Sequence, residues 1–165
     1  VKSPKESQTI MTEIVLPNDT NNLGNLFGGQ LLSWMDRCSA ISAHRHCKKQ
    51  VVTAAVNNVS FNQAIPIASI VTLEAKVSRA FKSSMEVYVD VYVEDQKLAG
   101  KRTHTNEAIY TFVAVDEFGN DIRVEQLPEL RDNEWIRAEH LEKCSFIAKD
   151  DFKNISFDIQ TEELL

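Results

Sequence analysis

Two stretches of this chain alternate apolar and polar residues with a period of two. In SIVTLEAKVSRA, Val71, Leu73, Ala75 and Val77 alternate with Thr72, Glu74, Lys76 and Ser78, the pattern of a strand with one buried and one wetted face. MEVYVDVYVED repeats it, with Met85, Val87, Val89, Val91 and Val93 on one face and Glu86, Tyr88, Asp90, Tyr92 and Glu94 on the other. SQTIMTEIVLP predicts a first strand, ended by Pro17, and VVTAAVNNVSF a further β-rich run broken by NQAIP. THTNEAIYTFVAVD reads as a long last strand, reached through a hairpin-type connection that carries Gly100.

The period changes once. After the loop-forming NDTNNLG, the residues Leu31, Trp34, Met35, Cys38 and Ile41 recur at helical spacing, predicting one helix from about Phe27–Gly29 to about His46. The element order is therefore a strand, a long helix and then four strands joined by short links. That order predicts an α+β domain in which an antiparallel sheet is covered by one helix. A doubly wound parallel sheet would need a helix between successive strands, and the sequence offers none. Beyond residue 123 the texture changes: LPELRDNEWIRAEHLEKC predicts a C-terminal helix, followed by an acidic tail. The expected organisation is a domain over 8–123 and a helical extension with tail over 124–165.

Composition narrows the function. The 165 residues are 43% hydrophobic and 25% charged, with a net charge of -6, which excludes the basic footprint of a nucleic-acid binder. No apolar run reaches the roughly 18–20 residues of a membrane span. The three cysteines, Cys38, Cys47 and Cys144, lack C-x-x-C spacing, so free thiols in a reducing cytoplasm are expected. His44 and His46 lie two apart and point to different sides of a helix. His104 and His140 show no carboxylate–histidine spacing, and no metal site is expected.

The chemistry concentrates in NNLGNLFGGQLLSWMDRC. Asp36 sits on a helix whose neighbouring positions are Leu32, Ser39, Ala40 and Ala43, leaving little of that face for water. A carboxylate there is costly unless something uses it; the bland alternative is an exposed Asp beside Arg37. Gly28 and Gly29 fall where the helix opens, with free N–H groups and the positive dipole end. They suit an oxyanion, or equally a tight turn. Asn21 lies just upstream with an amide donor. Donors that polarise a carbonyl, plus a carboxylate that activates water, are the minimum kit for hydrolysing an activated acyl group. Glycine-rich nucleotide loops and the G-x-S-x-G elbow are absent from the sequence.

The series N-x-x-G-N-L-F-G-G-Q-L-L-S-W-M-D, VVTAAVNNVSF, SRAFKSSMEVYVDV and TNEAIYTFVAVD resembles the hotdog-fold acyl-CoA thioesterases, of the YciA-type and animal cytosolic kind, over roughly residues 8–123. The resemblance implies a hotdog fold, its sheet wrapped around the central helix, with units paired edge to edge and grouped as a hexamer. It implies that Asp36 is the base or nucleophile at a site between subunits, and that Asn21 of the other subunit holds the thioester oxygen. Gly28 and Asp36 are eight residues apart, roughly 12 Å along a helix, which agrees with a shared site. SRAFKSS matches the turn near the coenzyme A phosphates, where Arg79, Lys82, Ser83 and Ser84 supply charge and donors, or form an ordinary hairpin end. Trp34, Met35 and Phe61 are candidates for the acyl slot and equally for the core. Coenzyme A is then part of substrate and product, and no cofactor is expected. The rival readings are a non-catalytic acyl-CoA-binding protein and an enoyl-CoA hydratase, whose carboxylate–histidine pair is not evident in the sequence.

Overall fold

The computed structural model describes residues 4–95 and 100–124. Five strands, β1 (Thr9–Ile14), β2 (Gln50–Phe61), β3 (Ile70–Ala80), β4 (Ser84–Glu94) and β5 (Arg102–Val115), form one sheet in the order β1-β3-β4-β5-β2. Every pairing is antiparallel. One long helix, α1 (Gly28–Cys47), packs on all five strands. An antiparallel sheet covered by one helix is what the element order predicts, and it is the hotdog arrangement that the resemblance implies. The expected C-terminal helix and acidic tail lie outside the described residues.

The period-two strands build the core directly. Val71, Leu73 and Val77 on β3 and Met85, Val87, Val89 and Val91 on β4 are all fully buried, facing α1 through Leu31, Trp34, Met35 and Cys38. Their opposite face is drier than strict alternation suggests. Glu86 and Tyr88 are only 3% and 5% exposed, which corrects the expectation of a uniformly wetted side. Its charged residues instead pair with one another across the strands.

The helix begins without a side-chain cap. Phe27, at its N-cap, has extended backbone angles, and no side-chain oxygen reaches the first turn. At the other end Lys48 adopts a left-handed conformation (φ 56°) and donates its N–H to the His44 carbonyl at 2.8 Å. His44, Arg45 and His46 place basic residues in the last turn, favourable to the dipole. His44 is exposed and His46 buried, so the two do point apart. β2, at the sheet's edge, is irregular: its register against β5 slips between Thr53 and Ala55 and again between Asn57 and Ser60.

Candidate active site

The loop before α1 is organised around Asn21. Its side-chain carbonyl Oδ1 accepts hydrogen bonds from the backbone N–H of Leu23 (2.9 Å) and Asn25 (3.2 Å). The turn closes through Gly24, whose φ of +72° suits glycine. With Oδ1 engaged, the amide nitrogen is the half of the group left to donate, and it makes no bond among the described residues. The loop is held against the segment after β2 by Leu26 N–H to the Ile65 carbonyl (2.8 Å) and Ile67 N–H to the Gly24 carbonyl (2.9 Å).

These contacts shape a depression of about 270 Å³ at the start of α1, lined by Asn21, Leu26, Gly28, Leu31 and Phe61 among others. A Cβ at Gly28 would lie 3.3 Å from the Phe61 ring, so glycine is what lets an aromatic ring rest on the first helical turn. At Gly29 a Cβ would meet nothing within 4 Å. The uncapped N–H groups of this turn and the Asn21 amide together make a donor-rich end that suits a carbonyl oxygen or an anion.

Asp36 is elsewhere. It lies two turns further along α1, half-buried, and does not line the depression. Its Oδ1 accepts a 2.8 Å hydrogen bond from the Thr53 hydroxyl on β2. Beneath it, Tyr110 of β5 donates its hydroxyl to the Leu32 carbonyl at 3.0 Å; burial first, and the Asp36 charge second, push that phenol's pKa upward. One copy of the chain thus holds two half-sets: donors at the helix start, and a hydroxyl-bound carboxylate on its flank.

The β3–β4 turn carries the remaining polar candidates. The Arg79 guanidinium lies 5.6 Å from the centroid of the Phe81 ring, Lys82 is exposed, and Ser83 and Ser84 are half-buried. The Ser83 hydroxyl donates to the Asp121 carboxylate at 3.3 Å. Trp34 and Met35 are 3% and 0% exposed. They lie in the core cluster, on the apolar stripe of α1 that faces the sheet.

The fold also forms a carboxylate–histidine group that linear spacing concealed. Asp90 and Glu107 are direct partners across β4 and β5. His104 Nε2 lies 2.7 Å from Asp90 Oδ1 and 3.8 Å from Glu107 Oε2, and the Tyr88 hydroxyl reaches both carboxylates, at 3.0 and 2.9 Å. Burial, then Asp90 and Glu107, push the Tyr88 pKa upward. The pairing comes from strand register, invisible in sequence spacing. The group sits on the sheet face away from α1, so it cannot supply the acid and base of a hydratase at the helix.

Residues 23–99 match the model of the thioesterase superfamily. The chain is 41% identical to the uncharacterized acyl-CoA thioester hydrolase YkhA of Bacillus subtilis, over 73% of this chain and 69% of that protein. The chain belongs to the thioesterase superfamily. It is also 38% identical to acyl-coenzyme A thioesterase 11 of Mus musculus over 84% of its own length, but spans 22% of that longer protein. Among solved structures, an apo-hexameric acyl-CoA thioesterase is similar with 40% identity and a TM-score of 0.73, covering 79% of this chain and 83% of that one. A Staphylococcus aureus acyl-CoA hydrolase, solved with butyryl coenzyme A, coenzyme A and coenzyme A disulfide, is 36% identical with a TM-score of 0.73, covering 79% of each chain.

Three further structures of that Staphylococcus thioesterase carry alanine in place of an asparagine, an aspartate and a threonine. Those positions are spaced along its chain as Asn21, Asp36 and Thr53 are spaced here. Thr53, the hydrogen-bond partner of Asp36, is a residue that sequence reasoning passed over. Its signal was available: it is the one polar residue in VVTAAV, immediately after a helix that carries an unexplained carboxylate.

Proposed function

We propose that this chain hydrolyses acyl-CoA thioesters to the free acid and coenzyme A, at sites each completed by two copies of the chain. The observation that carries the reading is the Asp36–Thr53 hydrogen bond on a half-exposed flank, set apart from a helix start rich in donors. The carboxylate takes a proton from water, and the resulting hydroxide adds to the thioester carbonyl. The oxyanion that forms is held by a second copy, through its first-turn N–H groups at Gly28 and Gly29 and its Asn21 amide. Its collapse expels the coenzyme A thiolate, which recovers the proton. Water is the sole co-reactant, so the reaction calls for no cofactor.

β2 supports assembly. It ends the sheet and leaves Val52 and Val56 exposed at 37% and 41%. A second copy adding its own β2 would extend the sheet and bring the two half-sets together; the related hexameric thioesterases favour a trimer of such dimers. Arg79 and Lys82 face the nucleotide phosphates in this reading, with Ser83 and Ser84 beside them. Among the described residues no helix is long and apolar enough to cross a membrane, and Cys38 and Cys47 are free thiols; a cytoplasmic enzyme suits both. Residues 8–123 form the catalytic domain and 124–165 an extension. The deciding experiment is release of free coenzyme A by purified protein across acyl-CoA chain lengths, with Asp36→Asn alongside. Hydrolysis by the wild type that the variant retains in full would sink the mechanism.

A further inference from the structure

The TNEA stretch places Asn106 on β5, in line with the core-facing Ala108, Tyr110 and Phe112. It is a polar residue at an apolar position, 1% exposed, and its Oδ1 has no hydrogen-bond partner among the described residues. A buried orphan acceptor lowers stability, so the packing of the core gives no reason for an amide here. What the amide does achieve is one short bond: Nδ2 donates to the Ser60 carbonyl at 2.6 Å.

Ser60 is where β2 regains its register. The pairing slips between Asn57 and Ser60, Asn58 within that bulge has a φ of +53°, and the next pair is Phe61 with Asn106 itself. Bulges re-aim the side chains that follow them. Here the strand is also the last of the sheet within one copy, with β5 as its one strand neighbour among the described residues. The Asn106 amide adds a side-chain hold on its last residues. Phe61 follows the clamped carbonyl, and its ring lies against Gly28 although more than half of it is exposed, at 55%.

We infer that Asn106 is a positioning residue for acyl-chain selectivity: by holding the Ser60 carbonyl it aims Phe61 so that the ring walls the depression beside the Gly28 N–H. This rests on the thioesterase reading above, in which the carbonyl docks at that turn. The acyl carbons next to it then run along the Phe61 ring, whereas the coenzyme A portion does not touch it. Asn106 itself meets no substrate. Its effect passes through the ring, and the Gly28 position is shaped to receive it.

The test compares Asn106→Ala, Phe61→Ala and the double variant with wild type, measuring kcat and KM for a series from acetyl-CoA to long-chain acyl-CoA. The ratio of kcat/KM for the best chain to that for acetyl-CoA should change by about tenfold in Asn106→Ala, on the scale of one lost pocket contact. The acetyl-CoA value itself should change by less than about twofold. Phe61→Ala should shift the ratio equally, and adding Asn106→Ala to it should shift the ratio no further. A uniform drop at every chain length, or two effects that simply multiply, overturns the inference while leaving the hydrolase intact. A second readout needs no catalysis: the Gly28 amide proton lies under the ring current of Phe61, so Asn106→Ala should move its NMR resonance toward its position in Phe61→Ala. An unmoved resonance overturns the clamp. Asn106→Ser, too short to reach Ser60, carries the same two measurements if the alanine variant does not fold. Wild-type protein inactive on every acyl-CoA would overturn the thioesterase reading and the selectivity with it, and the Gly28 resonance would then report on the clamp alone.

Discussion

The Thr53 hydroxyl fixes Oδ1 of Asp36 with a 2.8 Å hydrogen bond, leaving the second carboxylate oxygen to face whatever occupies the flank of α1. A general base must be held in one orientation to reach its water. Thr53, from the strand that follows the helix, supplies that restraint within the same chain.

Asp36→Asn preserves volume and removes the base. The expected loss in kcat is about 10²–10⁴, the usual scale for general acid–base catalysis, with acyl-CoA binding retained because the phosphate contacts lie elsewhere. Steady-state kinetics and binding of a non-hydrolysable analogue separate the two quantities. A wild-type turnover number would refute the role.

Thr53→Val keeps the shape of the side chain and deletes the donor. The carboxylate loses its orientation but not its chemistry, so kcat should fall by about tenfold, well short of the Asp36 variant, with KM little altered. A loss as large as that of Asp36→Asn would mean that Thr53 acts directly on substrate.

Half-sites on separate copies make a prediction about mixtures. Asn21→Ala and Asp36→Asn proteins should each be slow alone. Unfolded together and refolded, they should regain activity, because some dimers then contain one site with both wild-type groups. Activity of the mixture no greater than the mean of its parents would place both residues in one copy's site.

With Arg79 and Lys82 on the remote phosphates, as proposed above, Arg79→Ala and Lys82→Ala should raise KM for acyl-CoA with kcat nearly unchanged. A short thioester without the nucleotide should be hydrolysed at the same rate by variants and wild type. Equal losses on both substrates would contradict phosphate binding. The Asp121 carboxylate beside Ser83 makes the neighbouring cations more important, because it repels the same phosphates.

Alkaline pH should destabilise the fold through Cys38. Its sulfur lies 3.7 Å from the carbonyls of both Thr9 and Leu73, and burial pushes the thiol's pKa from 9.0 up to about 11. Because the folded value is the higher one, the unfolded chain gives up its proton first. The stability tied to the neutral thiol is complete below pH 9.0 and is lost as the pH rises to about 11, a change of about 2–3 kcal/mol. Thermal melts between pH 8 and 11 should decline less steeply in Cys38→Ala. Identical slopes would exclude the thiol as the cause.

The strands with strict alternation were legible, because a half-buried sheet writes its two faces directly into the sequence. The helix span agreed with expectation to within one residue, since the apolar stripe of Leu31, Trp34, Met35 and Cys38 is continuous. Trp34 itself was ambiguous: helical periodicity says that a residue is buried, but not whether protein or ligand covers it. Thr53 stood out as the one polar residue of VVTAAV, but in a run whose register slips twice spacing assigns it no face. The Asp90–His104–Glu107 group was hidden for a related reason. Its members meet only after β4 and β5 align, and the slip between Val91 and Tyr92 decides which residues face each other.

Among its described residues, a single copy of this chain ends in an open sheet edge. β2 closes the order at one end with apolar side chains exposed and one row of backbone donors and acceptors facing outward, a ready template for any extended segment that drifts past. A partner strand added there would guard solubility as well as complete the proposed site. A substitution that weakens the contact between copies should announce itself first as precipitate in the tube, before slower turnover can be measured in what remains dissolved.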